Sequence, residues 1–108
     1  MLFFKSKTFG LPRSPKWKEV RDRFLHLHPF CAVCGTNKKL EVHHIIPVHI
    51  DISKELVESN LITLCESKSH NDHLIFGHFL NWKLFNENVV SDATTYYKSL
   101  KEANFEER

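Results

Sequence analysis

The sequence predicts a small α+β domain in which one helix comes first, two short strands follow, and two more helices close the chain. Three observations lead there. Apolar residues recur at three- and four-residue steps over 15–27, the spacing of one helix face. Two brief stretches, 40–43 and 61–64, alternate or are β-branched and apolar, as short strands are. With 108 residues, 42% hydrophobic and 26% charged, the chain suits one compact folded unit rather than a disordered segment.

The elements follow in order. Residues 1–13, MLFFKSKTFGLPR, are aromatic and basic without a period and read as an arm, leaving 14–108 as a single domain. Ser14 and Pro15 are suited to an N-cap and a first helical position, and Trp17, Val20, Phe24 and Leu27 form the apolar stripe behind them. Pro29 ends this helix. Cys31 to Gly35 is a tight turn, and Leu40 to His43 is the first strand. Residues 53–58 suit a short helix, and Leu61 to Leu64 is the second strand, ending at Cys65. Residues 71–82 suit a helix anchored by Leu74, Phe79 and Leu80, although Gly77 weakens it by about 1 kcal/mol against alanine. Asp92 caps a last helix over 93–103.

Composition narrows the function. No apolar run approaches the roughly 18–20 residues that span a bilayer. The N-terminus carries its apolar residues before its charges, so no secretory signal is expected, and the chain is expected to be soluble and cytoplasmic. The net charge is only +2, yet residues 1–23 hold seven basic and two acidic side chains. A basic end of this kind suits a phosphate-bearing partner. Three cysteines, an odd number without a secretory segment, argue against a disulfide framework. Of the eight histidines, five lie between Cys31 and Cys65 or within the dozen residues after Cys65. These counts point to metal.

Cys31-x2-Cys34 with Gly35 puts two thiolates on one turn, as a zinc knuckle requires. A thioredoxin-like pair would open a helix behind a strand, whereas here a helix end and a proline precede the motif. Cys65 is the natural third ligand. The fourth is His70 as first choice, with Asp72 as second. A structural Zn²⁺ held this way would contribute folding energy directly.

The second group is histidine-rich. His43 and His44 are neighbours on a strand, so their rings face opposite sides and serve different purposes. His73 and His78 lie five apart, one more than the ideal step for a shared helix face, which the irregularity at Gly77 can correct. His43, His73 and His78 together suit an open metal site, while a His70–His73 pairing is the competing assignment. His26, His28 and His49 read as ordinary surface histidines.

Taken together, CxxC, LEVHHIIP (40–47), NLITLC (60–65) and HNDHLIFGH (70–78) occur in an order that resembles the HNH endonuclease family, and most closely its small, phage-type members. The resemblance covers roughly residues 13–92, including RSPKW at 13–17 and WKLFNENVV at 82–90. It implies a ββα-metal (His-Me finger) core with flanking helices and a structural zinc knuckle. It further implies metal-dependent hydrolysis of DNA phosphodiester bonds, by nicking or double-strand cutting, with a 5′ phosphate and a 3′ hydroxyl as products. His44 corresponds to the general base and Asn60 to the asparagine that holds the loop aiming it. His43, His73 and His78 correspond to ligands of a catalytic divalent metal, Mg²⁺, Mn²⁺, Ni²⁺ or Zn²⁺. Two departures stand out: relatives with a knuckle usually carry a fourth cysteine where this chain has Asp72, and a four-residue gap where it has five between His73 and His78.

The partner this implies is DNA, met mainly through its phosphates. Lys16, Lys18, Arg21 and Arg23 on the first helix, and Lys5, Lys7 and Arg13 in the arm, are the candidate contacts. A DNA-packaging or other protein partner, in the host cytoplasm, follows from the phage-type likeness. The competing function is a zinc-containing nucleic-acid-binding module without catalysis, in which His44 has no task.

Overall fold

A computed structural model describes residues 13–103. The order is α1 (Trp17–Leu27), β1 (Leu40–His44), β2 (Leu61–Cys65), α2 (His73–Gly77, one π-helical turn) and α3 (Val89–Ala103), with 3-10 turns at Ile52–Lys54 and Glu58–Asn60. The α+β class read from the sequence is the one observed. Of the predicted arm, Arg13 alone falls among the described residues. Lys5 and Lys7 lie outside them. Among the described residues no helix is long and apolar enough to cross a membrane.

Helix α1 starts two residues later than predicted. Ser14 still shapes the entry, because its hydroxyl accepts from the Lys16 N–H (3.1 Å) and its carbonyl from the Trp17 N–H (3.0 Å). Phe24 is the one fully buried member of the predicted stripe, and Leu27 at the far end is 54% exposed. The helix closes with the His28 N–H on the Phe24 carbonyl (2.8 Å), just before Pro29.

Strands β1 and β2 pair antiparallel with Leu40 opposite Cys65 and His44 opposite Leu61. Every residue of β2 is buried, so it runs through the core rather than along its surface. The core joins Val33, Ile45, Ile62, Leu64, Val89 and Ala93 to all three cysteines. So small a core gains much from any cross-link its cysteines can make.

The predicted helix over 53–58 is instead two 3-10 turns separated at Val57, whose backbone is extended. The cause lies outside the segment. The Lys54 carbonyl, which a continuous α-helix would offer to the Glu58 N–H, accepts from the Asn60 side-chain amide (3.2 Å) and the Val57 N–H (3.4 Å).

The predicted helix over 71–82 shrinks to the single turn α2. The Leu80 N–H closes back on the Leu74 carbonyl (2.8 Å), and Phe79 and Leu80 take left-handed backbones, φ 51° and 66°. These two expected anchors are thereby turned outward, 52% and 69% exposed. Helix α3 begins at Val89, four residues before its predicted start, behind a turn built on Asn86. Its Oδ1 accepts from the Asn88 N–H (2.9 Å), while its amide donates to the Phe76 carbonyl (3.0 Å) and to Asp92 (2.9 Å). Asn86 thus ties α3 to α2.

Candidate metal centres and the face between them

Among the described residues, two groups of side chains that could ligate a metal converge, and in each the candidate ligand atoms lie within 4.8 Å of one another. The first is Cys31, Cys34, Cys65 and Asp72, all buried. Cys34 Sγ is 3.8 Å from Cys65 Sγ, and Asp72 Oδ2 is 3.2 Å from Cys31 Sγ and 3.3 Å from Cys65 Sγ. Two sulfurs each about 2.3 Å from a tetrahedral zinc lie about 3.8 Å apart, so the thiol spacing fits that ion. The side chain brought into this group is the second choice, Asp72. His70, the first choice, stands behind it, with Nε2 3.0 Å from the other Asp72 oxygen. The reason is local: Asp72 is one residue before α2 and points inward, whereas His70 ends the turn Ser67–His70 at the half-exposed rim. Burial pushes the Cys34 thiol up to about 11, with Asp72 and Cys65 adding to the rise, and pushes Cys31 up further still. A divalent cation bound among these side chains would favour the thiolate forms that burial alone disfavours.

The second group is His43, His73 and His78. Their ring centroids are 4.8 to 4.9 Å apart, and His73 Nε2 is 3.0 Å from His43 Nδ1. Nitrogens about 2.1 Å from one tetrahedral ion lie about 3.4 Å apart, close to this spacing. The π-helical turn resolves the five-residue gap between His73 and His78. A wider turn aligns residues further apart than an α-helix does, and such turns collect at functional sites. Outer contacts hold two of the rings: His73 Nδ1 meets Glu66 Oε2 at 2.6 Å, and His78 Nδ1 donates to the Leu84 carbonyl at 2.6 Å. Each contact points to Nε2 as the ligating atom. The half-exposed Trp82 packs edge-on against His73 (5.1 Å) and tilted against His78 (4.8 Å), and walls the group on one side.

Gly77 provides the space for His43. A Cβ at this position would stand 3.0 Å from His43 Cε1 and 3.2 Å from Nε2. Gly77→Ala is therefore expected to displace the ring and weaken metal binding at the three-histidine group by roughly tenfold, the lower end of what disturbed ligand orientation costs. Calorimetric titration with Ni²⁺ checks it. An unchanged affinity would mean that the ring moves aside freely.

On the other face of β1, His44 packs against Trp17, ring centroids 4.5 Å apart, and its Nε2 lies 2.8 Å from the Glu55 carbonyl. A carbonyl only accepts, so Nε2 carries the proton and Nδ1 holds the lone pair. Burial lowers the pKa of this imidazole below its ordinary value; Arg13 lowers it further, while the Glu55 carbonyl and carboxylate oppose the shift. The Arg13 guanidinium lies over the same Trp17 ring, 5.0 Å from its centroid. Glu55 is buried, and its carboxylate accepts from the Ser14 N–H (2.9 Å), which fixes the start of α1 beside His44. Asn60 clasps the intervening loop. Its Oδ1 accepts from the Ile46 N–H (2.9 Å), and its amide donates to the Ile46 (3.0 Å) and Lys54 carbonyls.

Residues 31–67 match the family model of the HNH endonuclease. That segment, about a third of the chain, is similar to the HNH endonuclease family. No curated protein and no solved structure matches the chain. The matched segment contains the CxxC turn, both strands, His43, His44, Asn60 and Cys65. Asp72, His73 and His78, which complete the two groups, lie beyond it and join them through the fold.

Glu66, Glu55, Trp82 and the Leu84 carbonyl also belong to this region, and the sequence reading missed them. Their partners lie four to eleven residues away across turns, and no motif in the sequence signals the contacts. Lys16, just before α1, is exposed; on the helix Lys18 (2.7 Å) and Arg21 (3.1 Å) share Asp22, and Arg23 leans on Glu58 at 3.8 Å. Exposed pairs of this type are weak, and a phosphate competes readily for the cation.

Proposed function

We propose that this protein is a metal-dependent DNA endonuclease. The observation that carries the reading is the division of labour at two adjacent residues. His43 faces the His73–His78 pair on one side of β1, and His44, held as the Nε2–H tautomer by the Glu55 carbonyl, occupies the other. A scaffold has no need of a neutral, half-buried, oriented imidazole directly beside a metal-ligating one.

In this reading the Nδ1 lone pair of His44 takes the proton from the attacking water as the water's oxygen bonds to phosphorus. Trp17 and Glu55 fix the ring while this happens, and Asn60 fixes the loop that carries Glu55. His43, His73 and His78 would hold a divalent ion, which supplies Lewis-acid charge at the phosphate and at the departing 3′ oxygen. Arg13, over Trp17 and near His44, is suited to a non-bridging phosphate oxygen. Cys31, Cys34, Cys65 and Asp72 would hold a structural Zn²⁺, with His70 orienting Asp72. Residues 14–108 then act as one nuclease domain.

A short labelled duplex incubated with the full chain and Mn²⁺ tests the chemistry, with 5′-phosphate and 3′-hydroxyl termini expected. Binding without cleavage in Mg²⁺, Mn²⁺, Ni²⁺ and Zn²⁺ alike would favour the zinc-containing binding module. Duplex contact is assigned mainly to the basic face of α1. Replacing Lys16, Lys18 and Arg21 with alanine is expected to lower the salt slope of DNA binding by about 0.9 for each phosphate no longer neutralised. Fluorescence anisotropy over a salt series measures this, and an unchanged slope would remove this face from the interface.

A further inference from the structure

We propose that Glu66 is a positioning residue that locks His73 as a metal ligand, an inference that rests on reading the three-histidine group as a metal site. The Glu66 carboxylate accepts from His73 Nδ1 at 2.6 Å. That contact directs Nε2 toward His43 Nδ1, 3.0 Å away, and leaves the ring more electron-rich as a donor.

The backbone around this pair is fixed at both ends. The Glu66 N–H extends the hairpin ladder one step past Cys65 by donating to the Lys39 carbonyl (2.7 Å). Eight residues span Cys65 to Asp72, and their side chains meet in the cysteine group, Sγ to Oδ2 at 3.3 Å. Within the turn, Cys65 Sγ (3.1 Å) and Ser67 Oγ (2.9 Å) both contact the His70 carbonyl. The chain positions directly after Cys65 and Asp72 are Glu66 and His73. One clasp therefore sits in each metal group, and the loop between them has little freedom. The Glu66 carboxylate is only 27% exposed where it meets His73.

The test titrates Ni²⁺ by calorimetry into the full chain carrying one equivalent of Zn²⁺. Glu66→Ala is expected to weaken Ni²⁺ binding about 10- to 100-fold. Glu66→Gln, whose amide oxygen still accepts from Nδ1, is expected to recover most of that loss. In parallel Co²⁺-loaded samples, the thiolate-to-cobalt absorption of the cysteine group is expected to be equal in wild type and both variants. A Glu66→Ala chain that binds Ni²⁺ as tightly as wild type overturns the proposal, and so does one that loses the cobalt–thiolate band together with Ni²⁺ affinity. A wild type that shows the band but takes up no Ni²⁺ at a second site overturns the metal-site reading itself, so the two failures are distinguishable.

Discussion

His44→Ala is expected to slow DNA cleavage by about 10²- to 10⁴-fold while leaving Ni²⁺ or Mn²⁺ binding at the three-histidine group unchanged. The two faces of β1 make these readouts separable. His44 touches Trp17 and the Glu55 carbonyl, on the side of the strand away from His73 and His78. His43→Ala should instead lose metal and cleavage together. The pH profile adds a second signature. Burial lowers the His44 pKa, and only the neutral ring accepts a proton, so the rate falls as pH drops through that lowered pKa. The acid limb of kcat is therefore expected below about pH 6.5, the ordinary histidine midpoint, and the residual activity of His44→Ala should lack it. Cleavage by His44→Ala at the wild-type rate would end its assignment as the base.

Cys65→Ser is expected to abolish the folded state at ordinary temperature. Cys65 is completely buried at the end of β2 and contacts Cys34, Asp72 and the His70 carbonyl. Structural zinc contributes about 10–16 kcal/mol in small domains, comparable with or larger than the roughly 5–15 kcal/mol that holds a typical domain folded. Without the ion the core retains three buried thiols and a buried carboxylate in place of a cross-link. Thermal unfolding followed by circular dichroism is the measurement, with a strong chelator expected to act like the substitution. His78→Ala, which touches the other group, should leave the unfolding temperature near wild type when zinc is present. Zinc stoichiometry then separates Asp72 from His70. Asp72→Ala is expected to lose the ion, and His70→Ala to retain it with weaker affinity. An unfolding temperature indifferent to chelator would contradict a structural metal.

What was legible in the sequence was local. The CxxC turn, the two strands and the adjacent histidines carry their own spacing, and each stands within a residue of its expected place. What was illegible has non-local causes. The helix expected over 71–82 becomes a π-helical turn where the His43 ring occupies the space beside Gly77, thirty-odd residues away in the chain. The helix expected over 53–58 divides where the Asn60 amide takes the Lys54 carbonyl. Helix α3 starts early because Asn86 reaches back to Phe76. The exchange of His70 for Asp72 beside the cysteines depends on which way the chain enters α2. A ligand count cannot reveal that direction.

The most direct measurement is nicking of supercoiled plasmid by the full chain, stripped of loosely bound metal while retaining its zinc, before and after each of Mg²⁺, Mn²⁺, Ni²⁺ and Zn²⁺ is restored. Metal-dependent cleavage requires no conversion without added metal and nicked or linear plasmid with at least one of the four. Intact plasmid in all four, with the protein folded and its three-histidine group shown by calorimetry to be filled, would contradict it.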